Sequence, residues 1–197
     1  MKDKFIDSCI NFLKCNHSYS ETELKKLRYG LEGIYLTITK TIIILLVSII
    51  LNIFVESLIC IVLFNIIRYF AFGFHAEKSW HCLLLSLFNF VAIPYSLLNI
   101  DNSLIFNSIV CLVSLVMILL FAPADTVKRP LKDKKKRIFR KIFTFIIGTI
   151  YTLLALWLYK HDISDLLVSS LIITVIVINP ITYKLFRQPF NNYKKIN

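Results

Sequence analysis

Six apolar segments, about 34–54, 56–72, 82–100, 103–123, 141–159 and 164–184, dominate this sequence and limit what it can fold into. Each approaches the roughly 20 residues that an α-helix needs to cross a bilayer. The first two are nearly one run, broken only by Asn52 and Glu56. A single helix over that length would be far too long for a hydrocarbon core of about 30 Å, so a tight turn is expected at Asn52–Glu56. Pro94 and Pro180 lie inside later segments and should kink or end helices there, because each lacks an amide donor. The reading is an all-α polytopic membrane protein with about six transmembrane helices. It forms one integral membrane domain, with residues 1–33 as an amphipathic N-terminal region, 34–184 as membrane helices and 185–197 as a tail.

The N-terminal region is not expected to span. In "FIDSCINFLK", Phe5, Ile6, Cys9, Ile10 and Leu13 share one helical face, the pattern of a helix lying on a membrane surface. Ser20 followed by Glu23 makes a capping box for a second helix, with Leu24, Leu27, Leu31 and Ile34 at helical spacing. The pattern of a cleaved signal peptide is missing.

Charge sets the expected orientation. The formal net charge is +11. In a soluble chain that would suggest nucleic acid, but with this hydrophobicity it reads as membrane topology plus attraction to anionic lipid, and no nucleic-acid partner is expected. Basic residues cluster in the N-terminal region, in "DTVKRPLKDKKKRIFRK" at 125–141, and in a tail carrying Lys184, Arg187, Lys194 and Lys195. With six spans all these clusters fall on one side, which the positive-inside rule makes cytosolic. Both termini and the loop after the second span are then cytosolic.

That loop holds the unusual chemistry. "RYFAFGFHAEKSWHC", residues 68–82, places two histidines, a cysteine and three charges at the edge of apolar segments. An ordinary thiol, of pKa about 8.5, is mostly protonated at neutral pH, and a nearby imidazole or a helix N-terminus activates it as a nucleophile. His81 is adjacent to Cys82, so on a helix their side chains diverge by about 100°. His75 lies on the same face as Cys82, yet a straight helix would hold the two about 10 Å apart along its axis. If His75 serves Cys82, the helix must break between them. Gly73 offers the break, which would put Cys82 in the first turn of the next helix.

Glu77 is a candidate to orient His75, and Lys78 lies one turn before Cys82. Arg68 reads either as a membrane-edge anchor or as a clamp or brace for the loop. Zinc bound by His75, His81 and Cys82 is a competing chemistry, but a second ligand pair is not evident. A plain structural role for these side chains also stays open. Cys60 and Cys111, inside apolar runs, read as small core or lipid-facing residues, and no disulfide framework is implied.

"RYFAFGFHAEKSWHCLLLS" resembles the signature of the AgrB family, the accessory gene regulator proteins B of Gram-positive quorum-sensing systems. Arg68, Gly73, His75, Ala76, Cys82 and Ser86 match its pattern. "FAPADTVKRPL" at 121–131 resembles the family's second motif, which also precedes a basic loop. The resemblance implies a membrane cysteine endopeptidase with Cys82 as nucleophile and His75 as base, and needs no cofactor. It implies cleavage of the C-terminal tail of a short AgrD-like precursor peptide through a thioester. An internal Cys or Ser then closes a thiolactone or lactone ring, giving an autoinducing peptide. It also implies a homodimer. Arg68, Gly73, Glu77 and Ser86 would support the site, while Lys128, Arg129 and Lys132 could attract an acidic precursor tail. The rival from another class is a transporter or scaffold with no enzymatic role. Against it, the spans hold few charges besides Arg68, Lys40 and Glu56.

Overall fold

A computed structural model describes residues 2–16, 19–74, 79–126 and 130–192. The elements are α1 (Lys2–Asn16), α2 (Glu21–Ile50), α3 (Phe54–Ala71), α4 (Ser79–Leu87), a π-helical turn (Phe88–Ala92), α5 (Ile93–Leu98), α6 (Leu104–Phe121), α7 (Lys134–Trp157), α8 (Asp162–Ile178) and α9 (Pro180–Leu185). Five helical stretches are long and apolar enough to cross a membrane: Glu21–Ile50, Phe54–Ala71, Trp80–Leu98, Leu104–Phe121 and Lys134–Trp157. The fold is all-α and polytopic.

Contacts divide the chain into two units, Met1–Leu46 and Val47–Asn197. In the first, α1 buries Ile6 and Ile10, two members of the expected apolar face, while Phe5 stays half exposed. Phe5 meets Tyr35 of α2 at 5.6 Å, and Asp7 pairs with Arg28 at 3.1 Å. The Ser20 capping box forms as read: Ser20 N–H donates to Glu23 Oε2 at 2.9 Å, and Glu23 N–H faces Ser20 Oγ at 3.4 Å. One expectation changes here. The capped helix and the first span are one continuous helix of 30 residues. At 1.5 Å per residue that is about 45 Å, longer than the bilayer core. No proline interrupts it, and the isolated Gly30 and Gly33 lower helix propensity without ending the helix.

The second unit is built around α8, which packs against α3, α5, α6, α7 and α9. Its Val168, Leu171, Ile173 and Ile178 are fully buried. At 17 residues α8 is shorter than the five spans, and it ends where Asn179 leaves the helix ahead of Pro180. Asn179 Oδ1 then accepts from Ile181 N–H and caps α9. The expected turn between the first two apolar segments is present: Asn52 takes φ 57°, and Ile53 N–H reaches back to Ser48 O. Glu56 sits in the first turn of α3, where a carboxylate complements the helix dipole.

The third apolar segment is less regular than the sequence suggests. Pro94 has no N–H to offer the preceding turn. The chain adopts π geometry just before it, and Ile93 N–H bonds Phe88 O. Ser57 Oγ from α3 donates to Phe90 O at 2.9 Å, supplying a donor to that loosened turn.

Candidate functional site

The helical path from span two into span three is interrupted. Arg68 lies in the last turn of α3, which ends at Ala71. Phe72 and Gly73 then take positive φ, 58° and 114°. Phe72 is a bulky residue in a region that favours glycine, a conformation costing on the order of 1–3 kcal/mol. At Gly73 a side chain would be strained and would also press on its surroundings. A Cβ there would lie 3.0 Å from Val177 O and 3.2 Å from Val177 Cβ.

Tertiary hydrogen bonds hold this turn. Ala124 N–H donates to Ala71 O at 3.0 Å, and Gly73 N–H donates to Ala124 O at 2.9 Å. Together they make an isolated parallel bridge between Phe72 and Ala124, the second of which follows the cis Ala122–Pro123 peptide. Phe74 N–H donates to Val177 O at 2.8 Å. The two sequence motifs, at 68–86 and 121–131, therefore meet in space, and the C-terminal end of α8 joins them.

Arg68 is the side-chain part of the same clamp. Its Nη2 donates to Phe74 O at 3.1 Å, and its guanidinium lies 5.3 Å from the Phe64 ring centroid. Of the two sequence readings of Arg68, the observed bond is that of a loop brace. A partly buried guanidinium is costly in a membrane unless its donors find acceptors, and a carbonyl just beyond a helix C-terminus is a favourable one.

Cys82 occupies the fourth position of α4, within its first turn, and is half-buried. Ser86 follows one turn later and is half-buried too. Cys60 and Cys111 are fully buried inside helices, as packing residues should be. His81 stacks on Trp80, with ring centroids 3.8 Å apart. His75, Glu77, Lys78, Lys128 and Arg129 lie outside the described residues, whereas Lys132 is exposed just ahead of the Asp133 N-cap of α7. Among the described residues no three His, Cys, Asp or Glu side chains converge as metal ligands.

Sequence reasoning missed several side chains that build this end of the molecule. Arg140 of α7 donates to Tyr69 O at 2.7 Å and covers the Phe72 ring at 4.2 Å. The Asp125 carboxylate is fully buried and accepts from Asn192 N–H at 2.9 Å. Tyr183 OH contacts Ala124 O at 3.2 Å and Asp125 O at 3.1 Å. The one available signal for Asp125 was an acid at the apolar edge of a strongly basic segment.

These features define an all-α membrane protein with a half-buried thiol, Cys82, in the first turn of a helix that follows a hydrogen-bonded turn. Comparison with known proteins places it further. The model of the family described as accessory gene regulator B matches residues 6–178. An AgrB-like protein of Listeria innocua is 33% identical over 177 residues, covering 86% of this chain and 83% of its own. One from Clostridium acetobutylicum is 33% identical over 175 residues, covering 87% and 82%. The accessory gene regulator protein B of Staphylococcus aureus is 28% identical over 154 residues, covering 77% and 82%. No solved structure matches the chain. The chain belongs to the accessory gene regulator B family.

Proposed function

We propose that the chain is a membrane cysteine endopeptidase and peptide cyclase acting on a short AgrD-like precursor. The observation that carries this reading is the helix break. Helix α3 stops at Ala71 and α4 starts at Ser79, three residues before Cys82. A straight helix through both would hold His75 and Cys82 about 10 Å apart, so this reading requires the chain to turn between them. Cys82 stands in the first turn of α4, where the helix dipole favours negative charge.

In the proposed reaction His75 takes the Cys82 thiol proton, and the thiolate attacks the scissile carbonyl. The C–N bond breaks, the amine of the departing tail takes the proton from His75, and the precursor remains as a thioester on Cys82. An internal Cys or Ser of the precursor gives its proton to His75 and attacks that thioester. The Cys82 thiolate leaves, and a thiolactone or lactone is released. Ring closure over hydrolysis requires water to be kept from the acyl-enzyme, which a site at the membrane edge favours. The amphipathic α1 offers an interface on which an amphipathic precursor leader could also lie. In this reading Lys128, Arg129 and Lys132 attract an acidic tail, Gly73 and Ser86 shape the site, Glu77 orients His75, and the enzyme works as a homodimer.

Cys82→Ala is expected to insert normally and to lose precursor cleavage by about 10³-fold or more. Replacing Cys9, Cys15, Cys60 and Cys111 together should leave cleavage in place. Cleavage that survives Cys82→Ala would sink the mechanism.

The proposed topology has six spans, with α8 as the sixth and with both termini and the active-site loop in the cytosol. It rests on the Lys and Arg distribution. In cysteine-depleted protein, Asp101→Cys should be labelled from outside intact cells and Asp133→Cys should not. The reverse pattern would invert the orientation.

A further inference from the structure

The segment that follows α8 touches described residues on either side of positions 75–78. Phe74, the residue before His75, is almost fully buried. Its ring lies 4.6 Å from that of Phe186 and 5.8 Å from that of Tyr183. Phe186 also meets the ring of His81, the residue before Cys82, at 5.8 Å in an edge-on arrangement. One aromatic side chain thus bridges the two chain positions that immediately precede the candidate base and the candidate nucleophile.

Phe186 is itself held firmly. It caps the C-terminus of α9, with its N–H on Thr182 O at 3.2 Å. Four residues further on, Phe190 packs on Tyr183 at 5.2 Å and faces Phe121 at 6.3 Å. Asn192 N–H closes the segment on the buried Asp125 carboxylate. Tyr183, through its hydroxyl, ties α9 to the 124–125 peptides, and Ala124 in turn holds Gly73. The family match ends at residue 178, so Tyr183, Phe186 and Phe190 all lie beyond it.

We propose that Phe186 is a positioning residue: by packing on both Phe74 and His81 it fixes where α4 starts relative to the end of α3, and so where Cys82 stands. The proposal rests on the endopeptidase reading above. Its consequence is kinetic: a reacting thiol displaced by about 1 Å costs up to about 10²-fold in rate, while substrate binding need not change.

The test measures precursor cleavage by full-length protein in vesicles, with Cys82→Ala as the control for the reaction itself. Phe186→Ala is expected to reach the membrane at the wild-type level and to lower kcat about 10- to 100-fold, with KM changed less than about threefold. Alkylation of Cys82 by iodoacetamide at neutral pH, in a variant lacking the other four cysteines, should slow in parallel. Phe186→Tyr, which keeps the ring, should restore both to within about threefold of wild type. If Phe186→Ala does not accumulate, Phe186→Leu decides, because it keeps apolar volume and loses the bridging ring. A kcat within twofold of wild type for that variant overturns the proposal, as does a loss confined to KM. Should Cys82→Ala cleave normally, the endopeptidase reading falls first, and that outcome is visible separately from any behaviour of Phe186.

Discussion

The two ends of the helical unit from Val47 onward solve the problem of connecting helices differently. At one end, Asn99–Ser103 and Leu158–His161 link α5 to α6 and α7 to α8 in four or five residues. Local caps satisfy them: Ser103 Oγ accepts from Phe106 N–H, and His161 N–H reaches Leu158 O. Two bonds tie these turns together, from Asn102 Nδ2 to Asp165 Oδ1 and from Tyr159 OH to Asn102 O. At the other end, residues 71–74, 122–125 and 177–192 are far apart in sequence and woven together by backbone bonds, with a buried carboxylate and left-handed residues at Phe72 and Gly73. Short capped turns tolerate change because each is satisfied by its own neighbours. A woven end cannot shift one segment without shifting the others, which is what the proposed catalytic loop would require.

The comparison can be broken by substitution at either end. Gly73→Val should do most damage: it forces a β-branched residue to φ near 114° and drives Cβ into Val177 O. Destabilisation of about 1–3 kcal/mol or more is expected, with cleavage falling well over tenfold. Thermal unfolding in detergent alongside kcat measurement checks both, and wild-type behaviour would show that the turn is not strained. Arg68→Ala comes next, since it removes the donor to Phe74 O. A loss in kcat of about tenfold or more is expected, with Arg68→Lys recovering only part, because an ammonium lacks the planar fork. Equal activity of the Lys variant and wild type would reduce Arg68 to a membrane-edge anchor. Asn102→Ala at the opposite end should cost at most about 1–2 kcal/mol and leave cleavage within about twofold. If it damages cleavage as much as Arg68→Ala does, the contrast between the ends is wrong.

What could be read from the sequence follows the same division. Periodicity and punctuation revealed the helices, the Ser20 cap, the turn at Asn52 and the stop before Pro180, because those depend on neighbours in the chain. The break at Gly73 was legible for the same reason, once His75 and Cys82 were asked to meet. Which helix forms the core was not legible. Segments α6 and α8 are both strongly apolar, yet Ile105, Leu112 and Leu120 of α6 are more than 60% exposed while 11 of the 17 residues of α8 are buried. In a bilayer both lipid and core favour apolar side chains, so hydropathy does not separate them. The continuity of α2 was hidden because amphipathic and fully apolar stretches differ in environment rather than in backbone. Asp125, Arg140, Tyr183 and Phe186 were missed because their partners lie dozens of residues away.

The central claim is that Cys82 carries the peptide as a thioester. The most direct test supplies the enzyme with a precursor whose ring-forming Cys or Ser has been replaced by Ala, so that an acyl-enzyme has no internal nucleophile to release it. Mass spectrometry of the digested protein should then find the precursor's N-terminal portion attached at Cys82, released by hydroxylamine and missing in Cys82→Ser as a thioester. Tail cleavage with no adduct on Cys82, or an adduct on another cysteine, would contradict the account.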